Sequence, residues 1–131
     1  MGPATQPAPR LVVRVKLRGG SVIGPGKAEL LERIEQCGSI SAAAREMDIS
    51  YRQAWLLIAT LNDAFGQPLI DTAQGGRAGG GARLTTLGKR ILTTYRTLQA
   101  KAEKHTRPDL EALVKLMAPD SRPRAKRRRV R

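Results

Sequence analysis

The stretch that decides the fold is residues 38–57, which read Gly-Ser-Ile-Ser-Ala-Ala-Ala-Arg-Glu-Met-Asp-Ile-Ser-Tyr-Arg-Gln-Ala-Trp-Leu-Leu. Capping hydroxyls followed by good helix formers predict a very short, alanine-rich helix that ends at Asp48. Ser50 then caps a second helix, and Gln53 stands where a capping box requires it. Small side chains allow a close helix crossing, and Asp48 can adopt the left-handed backbone of a tight turn. The pattern predicts a helix-turn-helix.

Upstream of this stretch we predict a small β-hairpin and one further helix. Weak alternation over residues 11–17 is followed by Arg18-Gly19-Gly20-Ser21, a turn sequence, and then by apolar residues 22–23. A helix over residues 26–37 is indicated by apolar residues at helical spacing. Pro25 suits the start of this helix and Gly38 suits its end.

Downstream, the second helix of the motif continues to residue 65, and two short strands are expected at residues 69–73 and 82–85. The segment between them, residues 74–81, contains five glycines and one arginine. A nucleotide-binding loop is disfavoured, since no Gly-Lys-Ser/Thr follows it and no parallel βαβ unit surrounds it. The segment fits the tip of a two-stranded wing, with Arg77 and Arg83 as cations that can approach phosphates.

The C-terminal third is predicted to be helical. A long helix is expected over residues 86–105, and Pro108 is expected to begin a separate short amphipathic helix that Pro119 ends. The long helix carries an apolar seam of Leu87, Ile91, Tyr95 and Leu98. The expected organisation is a flexible arm (1–10), a winged helix-turn-helix domain (11–106), a short amphipathic helix (107–118) and a disordered basic tail (119–131).

Charge points to a polyanionic partner. The 131 residues include 24 Lys and Arg against 11 Asp and Glu, a formal net charge of +13. Seven of these positive charges lie in residues 122–131, which leaves +6 for residues 1–121. Such an excess favours nucleic acid, because cations that neutralise phosphates release counterions. Solubility alone is the simpler explanation of the same charge.

Enzymatic chemistry has little support. The chain has one His and one Cys, without metal-ligand spacing or a nucleophile motif. We therefore expect no enzyme activity, no metal site and no cofactor. The single Cys37 cannot form an internal disulfide and is expected to be a small core residue. With no membrane-length apolar run and no secretion signal, the expected location is cytoplasmic.

The first turn of the second motif helix is the candidate DNA-reading surface. Ser50, Tyr51, Arg52 and Gln53 present a hydroxyl, a phenol, a guanidinium and an amide there. Arg52 either contacts base edges or is a solvated surface charge, and Gln53 either completes the capping box or contacts a base. Trp55 either faces outward at a rim or simply packs.

The residues quoted above resemble the DNA-binding domain of the molybdenum-dependent ModE regulators, within the LysR-type winged-helix group. The Ser-Tyr-x-x-Ala-Trp string at 50–55 and the wing sequence at 79–85 carry the resemblance, which covers residues 11–105. It implies a homodimer on a two-fold symmetric operator in double-stranded DNA. It implies that Ser50, Tyr51, Arg52 and Trp55 form the recognition surface, with Ser39 and Ser41 near phosphates.

The expected fold is therefore mainly α with small β elements: a winged helix-turn-helix with an N-terminal β-hairpin and a long C-terminal dimerisation helix. The resemblance assigns the dimer interface to the seam of Leu87, Ile91, Tyr95 and Leu98. The same residues could instead pack on the protein's own first helix and hairpin.

Two departures from the family pattern limit what carries over. Asp48 stands where a glycine is usual in the turn, at some cost in backbone strain. Nothing after Met117 resembles the family's molybdate-binding domain, so molybdate sensing is not expected and the sequence fits a stand-alone DNA-binding module.

Three functions remain open from the sequence. The first is a dimeric, sequence-specific transcriptional regulator. The second is an architectural DNA-binding protein with little sequence preference, whose basic tail supplies most of the affinity. The third is an interaction module whose last amphipathic helix docks a separate sensor subunit.

Overall fold

The computed structural model describes residues 8–73 and 81–119. Its elements, in chain order, are β1 (Val15–Lys16), β2 (Val22–Ile23), α1 (Pro25–Cys37), α2 (Ile40–Glu46), α3 (Tyr51–Phe65), β3 (Ile70–Ala73), β4 (Gly81–Leu84) and α4 (Thr86–Lys115). A three-residue 3-10 turn at Arg18–Gly20 joins the first two strands. The predicted fold class is confirmed: a mainly helical protein with two small antiparallel strand pairs and a long C-terminal helix.

Both strand pairs are antiparallel hairpins. In the first, Val15 lies opposite Ile23, and in the second Ile70 lies opposite Leu84. Gly19 has a φ angle of +78°, a value that residues with a Cβ atom rarely adopt. The turn predicted from Gly19 is therefore formed for the physical reason that the sequence suggested.

Local hydrogen bonds define the helix-turn-helix. The Ser39 hydroxyl accepts a bond from the Ala42 amide at 3.1 Å and begins α2. The Ser50 hydroxyl accepts one from the Gln53 amide at 2.9 Å and begins α3. Between the two helices Asp48 has a φ angle of +60°, which confirms the left-handed turn position.

An aliphatic core unites the hairpin, α1, α2, α3 and the wing. Leu30, Leu31, Ile34, Ile58, Leu61 and Leu69 are its largest fully buried side chains. The close crossing expected of α2 is formed by Ala43 and Ala44, which are 0% and 2% exposed. Within the described residues the core contains no buried charged side chain, so hydrophobic burial is the main force that holds the helices together.

The chain divides into two compact units. One comprises Val12–Lys101 and contains every element from β1 to β4 and the N-terminal part of α4. The other comprises, among the described residues, 8–11 and 102–119. None of the helices in the described ranges combines the length and apolar character that a membrane span requires.

The predicted break at Pro108 is wrong. A single helix runs over Thr86–Lys115 with Pro108 in its interior, instead of two helices separated there. A proline inside a helix costs about 3 kcal/mol relative to alanine. A break would leave the carbonyl groups of a whole turn without helical partners. The helix also ends before Met117, earlier than the position expected from Pro119.

Candidate nucleic-acid interface

The N-terminal turn of α3 projects polar side chains into solvent. Ser50, Tyr51, Arg52 and Gln53 are all exposed, and Tyr51 retains 55% of its accessible surface. The opposite side of the same helix buries Ala54, Ile58 and Leu61 in the core. The helix is thus held by one face, and its first turn is free to contact another molecule.

The capping box predicted at this turn is formed only in part. The Gln53 amide donates to the Ser50 hydroxyl. Within residues 8–73 and 81–119, no return bond from the Ser50 amide to the Gln53 side chain is present. The Gln53 amide side chain therefore remains available for a ligand while its backbone serves the cap.

Trp55 combines the two interpretations left open by the sequence. Its side chain is half-buried and packs against the core. Its ring also meets the Tyr51 ring edge-on, with centroids 6.3 Å apart and planes at 79°. Such edge-to-face pairs are favourable, so Trp55 supports the exposed Tyr51 from the rim of the core.

The sequence pattern did not single out Leu56, which is 51% exposed. It lies one turn after Arg52 and one turn before Thr60, away from the buried side of α3. Leu56 lies inside the apolar run 54–58, so hydrophobicity alone predicts that it is buried. Its spacing of four residues from Arg52 indicates instead that it lies on the exposed face.

An ion-pair bridge connects α1 to α2. Arg33 donates to Glu29 at 2.9 Å and to Glu46 at 2.6 Å. Hydrogen bonding from Arg33 lowers the pKa of the Glu46 carboxyl. All three groups are solvent-accessible, so the bridge contributes little to stability and mainly orients α2.

Cys37 is only partly buried, which corrects the expectation of a core position. It is the last residue of α1. Burial, followed by hydrogen bonding to Glu46, raises the pKa of the thiol. The thiol therefore stays protonated at neutral pH, and the neutral form is a poor nucleophile.

Ser39 and Ser41 lie at the start of α2. The Ser39 side chain is half-buried and occupied by the helix cap, whereas Ser41 is exposed. Their hydroxyl oxygens are 3.4 Å apart. The Ser41 hydroxyl is the more accessible of the two.

The wing is anchored to the end of α1. The Ala82 amide donates to the Gly38 carbonyl at 2.9 Å, and the Leu84 amide donates to the Glu35 carboxylate at 2.8 Å. Arg83 is exposed and lies opposite Asp71 in the strand register. Arg77 and most of the predicted wing tip fall outside the described residues.

The predicted seam of α4 divides by burial. Tyr95 is 3% exposed and its hydroxyl donates to the Val13 carbonyl at 2.5 Å, so it packs in the protein's own core. Leu87 and Ile91 are half-buried, and Leu98 is 39% exposed. These four residues line an apolar groove of about 430 Å³ together with residues of the hairpin.

The described residues contain no candidate metal-binding site. No group of three or more His, Cys, Asp or Glu side chains gathers there in an arrangement that could hold an ion. The exposed polar surfaces at α3, α2 and the wing remain the candidate site.

Comparisons with known proteins agree with this geometry. The family described as "Bacterial regulatory helix-turn-helix protein, lysR family" matches residues 26–89, from α1 to the start of α4. The molybdenum-pterin-binding protein MopA of Rhodobacter capsulatus is 41% identical over 86 residues, which are 66% of this chain and 32% of that protein. The transcriptional regulator ModE of Haemophilus influenzae is 37% identical over 93 residues, or 71% and 36% of the two chains.

A longer match is found with the transcriptional regulator ModE of Yersinia pestis, which is 36% identical over 115 residues, 86% of this chain and 44% of that protein. The chain spans about a third of the length of the first relatives it matches. The helix-turn-helix region of this chain is therefore of the LysR type, and it is similar to the ModE regulators.

Proposed function

We propose that this protein is a sequence-specific, DNA-binding transcriptional regulator without enzyme activity, acting in the cytoplasm. One observation carries the proposal. The first turn of α3 exposes a guanidinium, an amide, a phenol and a hydroxyl, while the other side of that helix is fixed in the core. A helix held in this way can enter a major groove and present its N-terminal side chains to base edges.

The side chains divide into two proposed roles. Arg52 and Gln53 have the donor and acceptor groups that discriminate bases in the major groove. Ser39, Ser41, Ser50 and Tyr51 have hydroxyls suited to phosphate oxygens, and Trp55 supports Tyr51. Arg83, together with Arg77, supplies positive charge from the wing. Phosphate contacts would fix the register, and the base contacts would provide the specificity.

We also propose a homodimer. The groove beside α4 is apolar, and Leu87, Ile91 and Leu98 retain accessible surface along it. A second copy could cover this surface, which would place two α3 helices on one two-fold symmetric site. Tyr95 would contribute indirectly, by fixing α4 on the hairpin.

An architectural role is the second candidate. It is favoured by the formal charge of +13, of which seven charges lie in residues 122–131. Binding by charge alone would be steeply salt-dependent and indifferent to sequence.

A separate sensor subunit could dock on the C-terminal part of α4. Leu113, Val114 and Met117 are 62%, 43% and 54% exposed. Leu113 and Val114 lie near the end of α4, and Met117 follows the helix in the chain. Loss of regulation in Leu113→Asp, with DNA binding unchanged, is the expected result if such a subunit exists.

The regulator proposal is tested with a binding site, or operator, that the full chain selects from a random duplex library. The full chain is titrated against this operator and against a scrambled duplex. Arg52→Ala should reduce the discrimination between the two by roughly 1–3 kcal/mol, because one base contact is lost. Arg18→Ala, which removes an equal charge from the exposed hairpin turn, is the matched control and should preserve discrimination. Equal, steeply salt-dependent binding of the wild type to both duplexes would support the architectural role instead.

A further inference from the structure

The exposed face of α3 carries a leucine that the fold does not use. Leu56 is 51% exposed, although its neighbours Ala54 and Ile58 are completely buried. An apolar side chain of this size gains free energy when it is removed from water. Because it lies on the candidate DNA-reading helix, DNA is the partner that would cover it.

Polar residues bracket Leu56 on the same side of the helix. Arg52 lies four residues before it, Ala59 three residues after it and Asp63 seven residues after it, and all are exposed. Spacings of three, four and seven residues align side chains along one face. The order along this face is a cation, two apolar groups and a carboxylate.

The carboxylate limits the part of the helix that can approach DNA. Asp63 would be repelled by the phosphate backbone, so the groove-facing region ends before it. Arg52, Leu56 and Ala59 lie inside that limit. At 1.5 Å per residue, Leu56 is about 6 Å beyond Arg52 along the helix axis.

We propose that Leu56, with Ala59 beside it, reads the 5-methyl group of a thymine in the major groove, about two base pairs from the base that Arg52 contacts. For an α3 axis that follows the groove, this spacing is the rise of about 6 Å along the helix divided by the rise of about 3.4 Å per base pair. The inference rests on the proposed sequence-specific function and names what the second turn of α3 recognises.

Thymine is the base whose chemistry fits an exposed leucine. Among the four bases it alone presents a methyl group in the major groove, and apolar side chains contact that methyl. Cytosine lacks the group at the same position, so an apolar contact distinguishes the two pyrimidines. A 5-methylcytosine restores the methyl group and separates recognition of the methyl from recognition of the base pair.

The experiment begins with selection of a binding site from a random duplex library by the full chain. Each thymine of the selected site is then replaced singly by uracil, which removes only the methyl group. For the wild type, one position in each half-site should lose about fourfold in affinity, the value expected for one buried methyl. In Leu56→Ala, the same replacement should have no effect.

Two variants control this result. Leu56→Met keeps an apolar side chain and should remain sensitive to uracil at that position. Leu116→Ala makes the same truncation at a residue that is 80% exposed and should behave as the wild type. Cytosine at the sensitive position should bind weakly, and 5-methylcytosine should recover about the same fourfold.

Three results would overturn the inference. If no uracil replacement weakens the wild type, no methyl group is read. If Leu56→Ala keeps the full sensitivity, another residue reads it. If the library yields no preferred site, the proposed regulator function fails and this inference fails with it.

Discussion

Two helices of this protein, α3 and α4, are stabilised in different ways. The 15 residues of α3 place three side chains in the core, and the helix is closed by Ser50 at one end and a left-handed Gly66 at the other. The 30 residues of α4 are buried only at Gly88 and Tyr95. The position of α3 is therefore determined by the core of its own chain, whereas much of the α4 surface remains exposed.

The sharpest way to break this comparison is to truncate one apolar side chain in each helix. Ile58→Ala in α3 should lower the free energy of unfolding by about 2–5 kcal/mol, because it leaves a cavity in a fully buried site. Leu98→Ala in α4 should cost less than about 1 kcal/mol in the monomer, since this side chain is 39% exposed. Urea unfolding at low protein concentration measures both values.

Sedimentation of the same two variants separates folding from assembly. For the proposed homodimer, Leu98→Ala should shift the sedimentation of the protein toward monomer, and Ile58→Ala should leave the folded fraction unshifted. If Leu98→Ala lowered the free energy of unfolding as much as Ile58→Ala, this part of α4 would be stabilised by packing within its own chain.

Gly88 tests a close approach of α4 to the backbone at Leu69, just before β3. A Cβ added there would lie 2.3 Å from the Leu69 carbonyl oxygen, a distance that requires the backbone to shift. Gly88→Ala should therefore destabilise the protein by about 1–3 kcal/mol, although alanine favours a helix over glycine. Thermal unfolding gives the sign directly.

Gly26 is the matched control for that change. It lies in the first turn of α1, and an added Cβ meets no atom within 4 Å. Gly26→Ala should stabilise the protein by about 0.4–1 kcal/mol through helix propensity and reduced freedom of the unfolded chain. Stabilisation by both substitutions would mean that α4 can move away from Leu69 at little cost.

An effect smaller than that of Gly88→Ala is expected at the link between α4 and the hairpin. Tyr95→Phe removes the hydrogen bond to the Val13 carbonyl and should cost about 1 kcal/mol. Burial raises the pKa of Tyr95, against weaker opposing effects of Arg96 and Arg14. The neutral phenol therefore contributes stability below its ordinary pKa of 10.0, and this contribution is lost as the pH rises through the raised folded value.

Tyr95→Phe also serves as the control for this pH dependence. Denaturant unfolding at several pH values measures the free energy of unfolding. As the pH rises from neutral to alkaline, this free energy should fall more steeply for the wild type than for Tyr95→Phe. Parallel curves for the two proteins would show that the Tyr95 hydroxyl does not titrate with folding.

The features that the sequence predicted correctly depend on neighbours within four residues. The Ser50 cap, the Asp48 turn and the hairpin at Gly19 each need only one local hydrogen bond or one backbone angle. Pro108 misled for the same reason, because its local signal is strong while the outcome depends on the helix on both sides. The exposure of Leu56 and the burial of Tyr95 depend on distant elements, which periodicity alone does not specify.

The attachment of β4 to α1 also has a consequence for solubility. A strand at the end of a sheet offers unpaired amides that can join a strand of another molecule and start aggregation. In this protein the Ala82 and Leu84 amides are already bonded to Gly38 and Glu35. The outer edge of β4 therefore has no free amide at Ala82 or Leu84 to offer a foreign strand, which disfavours aggregation at this edge when many copies crowd together.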